Sequence, residues 1–145
     1  MGDPADQLAI RDLVSTYCDG VNQRDAALWA SVWADEGATW RLRGDDIVGK
    51  DAIVALWRAA VAPYEFLVQI APNGLVEVDG DRATGRWYIL ESSRLRDGTG
   101  GQLVAMYHDR YVRTDAGWRI ERRELDIIFR GKDPVEGWAK PIDLH

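Results

Sequence analysis

The sequence predicts an α+β fold in which helices come first and pack on the concave face of a curved, mostly antiparallel sheet. Apolar residues recur with helical spacing up to about residue 60, whereas short β-rich runs separated by Gly and Asp follow from about residue 66. The chain has 145 residues, 46% of them hydrophobic, which suffices for one core but not for two. Residues 1–145 are therefore predicted to form a single domain.

Three helices are predicted in the first part of the chain. The first spans 4–22, begins at Asp3-Pro4, and has an apolar face made of Leu8, Ile10, Leu13, Val14, Tyr17 and Val21. A short second helix covers about 25–34 and has Leu28, Trp29, Val32 and Trp33 on its apolar side. The third starts with Asp51 as its N-cap and ends near Ala60, because Pro63 disfavours helix before it.

The remaining segments are predicted as strands joined by tight turns. A strand at 39–42 is followed by a turn at Arg43-Gly44-Asp45-Asp46. Five longer runs follow, at 66–71, 74–79, 82–94, 102–114 and 117–129, with Asp- and Gly-rich turns between the later ones. The tail 130–145 carries Trp138 and mixed charge and is predicted to be an irregular arm.

Composition and charge exclude several classes of function. With 18 basic and 24 acidic residues the net charge is −6, which disfavours nucleic acid and anionic membranes as partners. The single cysteine, Cys18, cannot form an internal disulfide, and no Cys/His cluster indicates a metal site. The N-terminus has no signal-like apolar run, and no stretch is long enough to span a membrane, so a cytoplasmic location is expected.

Four motifs, in order along the chain, resemble the SnoaL-like branch of the nuclear-transport-factor-two-like superfamily. They are IRDLV with Tyr17 over 10–17, VWADEGATW over 32–40, ATGRWY over 83–88, and YHDRY with GWRI over 107–120. The resemblance implies a cone of curved sheet, closed by the helices around a deep apolar pocket. It also implies kinship with small dehydratases and dehydrohalogenases, although this fold supports many chemistries and some non-enzymes.

The resemblance places the family's catalytic Asp and His at positions that hold amides in this chain. Members of the family use an Asp at the end of the first helix to orient a His that removes a proton. These positions correspond to Asn22 and Gln69, and neither amide exchanges a proton near neutral pH. The family's general base is therefore missing, and the two amides are expected to hydrogen-bond to each other or to a ligand carbonyl.

Three other residues are candidates for catalysis. Glu91 ends an apolar row on its strand, where desolvation would raise its pKa and suit it to proton transfer. The alternative is a rim carboxylate paired with Arg94 or Arg123. Tyr17 matches a pocket tyrosine of the family that could donate to a substrate oxygen, or it is only a core residue. Arg123 matches a pocket arginine that would offset negative charge, or it belongs to a solvated charged run.

Seven residues are predicted to bind the ligand: Asn22, Trp40, Phe66, Gln69, Trp87, Leu103 and Tyr107. Aromatic and aliphatic walls with few polar groups suit a small, largely apolar carbonyl- or hydroxyl-bearing ligand. The favoured function is therefore cofactor-independent lyase, isomerase or cyclase chemistry by proton transfer on a steroid, polyketide or aromatic type of ligand. No metal or cofactor is indicated. Two alternatives stay open: a non-catalytic ligand-binding module, and a structural small subunit like that of ring-hydroxylating dioxygenases.

The sequence also predicts self-association. One face of the sheet and Trp138 leave apolar surface to cover, and monomers rarely expose large apolar patches. A homo-oligomer, either a trimer or a dimer, is therefore expected.

Overall fold

Three helices and seven strands make up the domain, and the computed structural model describes residues 2–133 and 135–145. The helices are α1 (Pro4–Gln23), α2 (Ala26–Ser31) and α3 (Lys50–Val61). The strands are β1 (Thr39–Leu42), β2 (Asp45–Val48), β3 (Tyr64–Ile70), β4 (Gly74–Asp79), β5 (Arg82–Leu95), β6 (Gly100–Thr114) and β7 (Gly117–Gly131). Met1, and Pro134 of the predicted arm, lie outside the described residues.

All seven strands belong to one curved sheet with the order β2-β1-β7-β6-β5-β3, and β4 also pairs with β5. The β1–β7 pair is parallel and the other pairs are antiparallel, so the sheet is mixed. The apolar side of α1 packs on the concave, inner face, where Tyr17, Trp87 and Tyr107 are all buried. The predicted α+β fold is thereby confirmed.

Three local predictions were wrong. Helix α2 ends at Ser31 and not near residue 34, because Trp33 bridges to Ile120. Glycine conformation explains the other two. Gly49, not Asp51, is the N-cap of α3, because its φ of +96° suits a residue without a side chain. Asp45 and Asp46 lie in β2 instead of a turn. Arg43 and Gly44, with φ of +51° and +88°, form a two-residue turn, and β2 folds back onto β1.

Four tryptophans close the helical side of the cone. Trp29 stacks on Trp57 with 4.6 Å between ring centroids, and Trp33 and Trp40 pack against Trp29 at tilted angles. All four are at most 7% exposed. This cluster packs α2 and α3 against β1 and fills this side of the cone with aromatic rings.

The outer face of the sheet carries exposed apolar side chains: Val68, Ile70, Tyr88, Leu90 and Phe129. Beyond β7, residues 132–133 and 135–145 contain no helix or strand. They run back to the α1–α2 junction, where the His145 amide donates to the Arg24 carbonyl. None of the described helices is long and apolar enough to cross a membrane.

Candidate active site

Four inward-facing side chains form a row across neighbouring strands. Gln69 of β3 pairs with Glu91 of β5, Glu91 with Leu103 of β6, and Leu103 with Arg130 of β7. Adjacent strands lie about 4.8 Å apart, so the row places a carboxylate and a guanidinium on either side of one leucine. It lies near the C-terminal ends of β5 and β7 and the N-terminal end of β6.

Glu91 is held by an amide and surrounded by protein. The Nε2 of Gln69 donates a hydrogen bond of 3.0 Å to one carboxylate oxygen of Glu91. Burial raises the pKa of Glu91 above its ordinary value, and this outweighs the lowering by the Gln69 hydrogen bond and the charge of Arg130. No hydrogen bond of the described residues uses the second carboxylate oxygen. Its predicted alternative partners do not bind it, because Arg94 pairs with Glu65 and Arg123 with Asp109.

Asn22 fixes the backbone at Gln69. Its Nδ2 donates to the Gln69 carbonyl at 2.9 Å, and its Oδ1 accepts from the Gln69 N–H at 2.7 Å. Since β3 is an edge strand, these backbone groups have no further strand to pair with, and the amide replaces that partner. The expected bond between the two amide residues therefore exists, but through the Gln69 main chain. Asn22 is a positioning residue, and the Gln69 side chain is left free to face Glu91.

Cys18 sets the orientation of the Gln69 amide. Its thiol donates to Oε1 of Gln69 at 3.9 Å, and burial raises the pKa of this thiol to about 11, which keeps it protonated. With Oε1 used as an acceptor, Nε2 must face Glu91. Gln69 is thus locked as a donor toward the carboxylate, and it cannot carry a proton between groups.

Tyr17 and Tyr107 form a hydroxyl pair below this row. Their oxygens are 3.2 Å apart, and Nε2 of Gln69 lies 3.5 Å from the Tyr107 oxygen. Burial raises the pKa of Tyr17 to about 12 and that of Tyr107 well above its ordinary value, so both are neutral phenols. The bond between them uses one of two phenolic protons. No hydrogen bond of the described residues uses the other, and both side chains are buried, at 1% and 3% exposure.

Arg123 lies beneath the tyrosine pair and is fully buried. Its guanidinium is 4.2 Å from the ring centroid of Tyr17 and 4.1 Å from that of Tyr107. Two hydrogen bonds of 2.8 and 2.6 Å join it to Asp109. Burial would lower the pKa of Arg123, but the charge and hydrogen bonds of Asp109 raise it well above its ordinary value. Arg123 is thus a permanent cation paired with Asp109, and its charge lowers the pKa of both phenols without outweighing their burial.

A cavity of about 240 Å³ opens beside Glu91. Leu103, Tyr64 and Arg130 line it together with three glycines at the strand ends: Gly100, Gly101 and Gly131. Its wall is more polar than the apolar lining that the sequence predicts. Larger surface hollows of about 510, 680 and 800 Å³ contain none of the predicted site residues.

Of the seven predicted ligand-binding residues, Leu103 alone is among the residues that line this cavity, and Tyr17 and Arg123 are not among them either. Gln69 contacts Glu91, and Asn22 and Tyr107 contact Gln69.

The other three predicted ligand-binding residues lie farther away. Leu67 and Gln69 are buried, and Phe66 lies on the opposite face of the strand. Successive side chains of a strand point to opposite faces, so residues one or three positions apart do not share a face. The prediction that Phe66 faces inward was therefore wrong, and its neighbour Leu67 is the buried residue. Trp40 belongs to the tryptophan cluster. Trp87 is buried deeper along β5, where its Nε1 donates to Tyr111 at 2.9 Å.

Two site residues were not predicted from the sequence. Asp109 is the buried partner of Arg123, and its alternation with Tyr107 and Tyr111 on an inward face is the signal that could have found it. Arg130 faces the cavity because the β6–β7 register shifts between Val104 and Ala105. Simple alternation from Ile127 would instead turn Phe129 inward, so no local signal exists for Arg130.

Within residues 2–133 and 135–145, no cluster of three or more His, Cys, Asp or Glu side chains could hold a metal ion.

Comparison with known proteins agrees with this architecture. The chain is 29% identical over 122 residues to hexachlorocyclohexane dehydrochlorinase 1 of Sphingobium indicum, covering 81% of this chain and 79% of the relative. A solved hexachlorocyclohexane dehydrochlorinase, type 2, superposes with a TM-score of 0.83 at 26% identity, over 94% of this chain and 95% of the other.

A scytalone dehydratase-like protein of Novosphingobium aromaticivorans has the same fold, with a TM-score of 0.81 at 20% identity over 95% of this chain and 93% of the other. The family model of the SnoaL-like domain matches residues 4–124, which include every helix and strand but the end of β7. The chain therefore belongs to the SnoaL-like family of the nuclear-transport-factor-two-like superfamily.

Proposed function

We propose that this protein moves a proton within a small carbonyl-bearing ligand, as a cofactor-independent isomerase or lyase in which Glu91 carries the proton. The dehydrochlorinase and dehydratase relatives favour a small-ligand role of this type. The observation that carries the proposal is the position of Glu91: a partly buried carboxylate with a raised pKa, next to a cavity, with one oxygen free.

The proposed step begins when the Glu91 carboxylate removes a proton from the carbon beside the ligand carbonyl. The electron pair of the broken C–H bond moves to the carbonyl oxygen and forms an enolate. Glu91, now protonated, returns the proton to a different carbon in an isomerisation. In a lyase reaction, the enolate instead re-forms the carbonyl and expels a leaving group from the carbon next to the deprotonated one, and the proton on Glu91 passes to that leaving group, so that a hydroxyl departs as water. Tyr17, Tyr107 and Arg123 are buried and do not line the cavity, so they would act behind Gln69, which Tyr107 contacts, and not on the enolate oxygen directly.

Asn22 and Gln69 stand where the family has its Asp and His, and this supports Glu91 as the single proton carrier. Both amides are already committed, Asn22 to the backbone and Gln69 to Cys18 and Glu91. Neither can exchange protons, so the same carboxylate would remove and return the proton.

The test is turnover of a panel of enolisable ketones and hydroxy-ketones by the wild type and by Glu91→Gln. Loss of the base is expected to slow turnover by about 10²–10⁴-fold. Glu77→Gln makes the same chemical change on exposed β4 and is expected to leave the rate unchanged. Equal rates for wild type and Glu91→Gln would refute Glu91 as the base. Ligand binding with no turnover in either protein would favour the alternative, a non-catalytic binding module.

A further inference from the structure

Arg130 reaches the ligand cavity from the wall opposite Glu91. Both residues face inward, and Leu103 lies between them in the cross-strand row. Two strand spacings separate their backbones, which is about 10 Å. Arg130 and Glu91 do not form an ion pair. A space thus lies between a carboxylate and a guanidinium, with an apolar floor below it.

The cavity wall carries more positive than negative charge. Arg130 and Lys132 both line it, and Glu91 is the one acidic side chain among the described residues of the wall. Neither cation has a carboxylate partner in the part of the chain that the structure describes, so both can bind an anionic group of a ligand. In a protein of net charge −6, this is a local reversal of sign.

Glycines let the backbones of β6 and β7 approach each other closely at this end of the cavity. A Cβ on Gly101 would overlap the carbonyl oxygen of Gly131, so the two backbones approach as only glycine allows. Gly131, between Arg130 and Lys132, adds no side chain of its own to the cavity wall.

Provided that Glu91 transfers protons as proposed above, we infer that the substrate is a small oxo-carboxylate whose carboxylate binds Arg130 and Lys132 while its reactive carbon faces Glu91. Arginine binds a carboxylate through two parallel N–H groups, and this would fix the distance from the anchor to the reacting carbon. The cavity of about 240 Å³ lies below the usual range for drug-sized ligands, which suits a compact acid. Hexachlorocyclohexane, the compound in the relatives' names, carries no charge, so this specificity would be particular to this chain.

The test compares binding of 4-oxopentanoate with binding of its methyl ester, measured by titration calorimetry or protein NMR. The acid is expected to bind about tenfold or more tightly than the ester. Arg130→Gln should remove most of that difference by weakening the acid alone, Lys132→Gln should remove part of it, and Arg130→Lys should restore part. Arg58→Gln, on exposed helix α3, is the matched control and should change neither affinity.

Equal affinity for acid and ester, or an acid preference that Arg130→Gln leaves intact, would overturn the inference, as would failure of both probes to bind. Binding is also measured in the Glu91→Gln background, where no proton transfer is needed. An acid preference that persists in Glu91→Gln supports carboxylate recognition even if Glu91 proves not to be the base, so the two proposals fail separately.

Discussion

Asp109→Asn tests the role of the buried ion pair in holding the site together. Both side chains of the Asp109–Arg123 pair are fully buried, and two short hydrogen bonds join them. Asparagine keeps the shape and one acceptor but removes the charge, which leaves the guanidinium uncompensated in the interior. Breaking such a pair costs about 3–5 kcal/mol. With a urea m-value of about 2 kcal/mol/M, the unfolding midpoint should fall by about 2 M.

The assay is urea unfolding followed by tryptophan fluorescence. Glu121→Gln breaks the solvent-exposed Arg82–Glu121 pair and should cost no more than about 1 kcal/mol. The double variant Asp109→Leu with Arg123→Met replaces the charges by apolar groups and should recover most of the lost stability. A loss below about 1 kcal/mol in Asp109→Asn would refute the assignment of a structural charge pair.

Three other predictions concern assembly, pH and the amide pair. A homo-oligomer covering the outer sheet face is expected, and Phe129→Glu should shift its light-scattering mass toward the 16.3 kDa of one chain; a wild-type mass of one chain would contradict this. Because the pKa of Glu91 is raised in the folded state, stability falls as pH rises from its ordinary pKa through the folded value. Glu91→Gln should remove that fall, and an identical pH dependence of the unfolding free energy in wild type and Glu91→Gln would count against a raised pKa of Glu91. Asn22→Asp loses the donor to the Gln69 carbonyl and should cost about 1–3 kcal/mol in urea unfolding. Adding Gln69→His should rebuild an Asp–His dyad, seen as new turnover with a histidine-like pH dependence; no change in turnover would argue against it.

The helices and most strands could be predicted because their signals are local. Strand β4 was predicted with its observed bounds, and α1 differs from its prediction by one residue. The errors occurred where one backbone conformation decides the outcome. Gly49 starts α3 by adopting a positive φ, and the Arg43–Gly44 turn converts Asp45 and Asp46 into strand residues. Propensity does not distinguish these cases.

The site divides along the same physical lines. Glu91 lies on the inner face, as the alternation along its strand predicts, and Gln69 pairs with it from β3. Their contacts with each other, and the clamp from Asn22 to the Gln69 backbone, require a packing of α1 on β3 that no local pattern encodes. The pairing of Arg123 with Asp109 depends on the register between β6 and β7, and the sequence of either strand alone does not determine that register.

That register has a consequence for how ligand preference is encoded. The pairing of β7 with β6 shifts twice, near Ile120 and near Ile127, so its inward residues change parity from Ile120 to Arg123 and again from Ile127 to Arg130. The same fifteen residues paired without the second shift would turn Phe129 into the cavity and Arg130 out of it. The same β7 residues would then present an aromatic wall to the cavity without this bulge and a cationic wall with it. Ligand charge in such a cone is thus specified by strand phase as well as by residue identity.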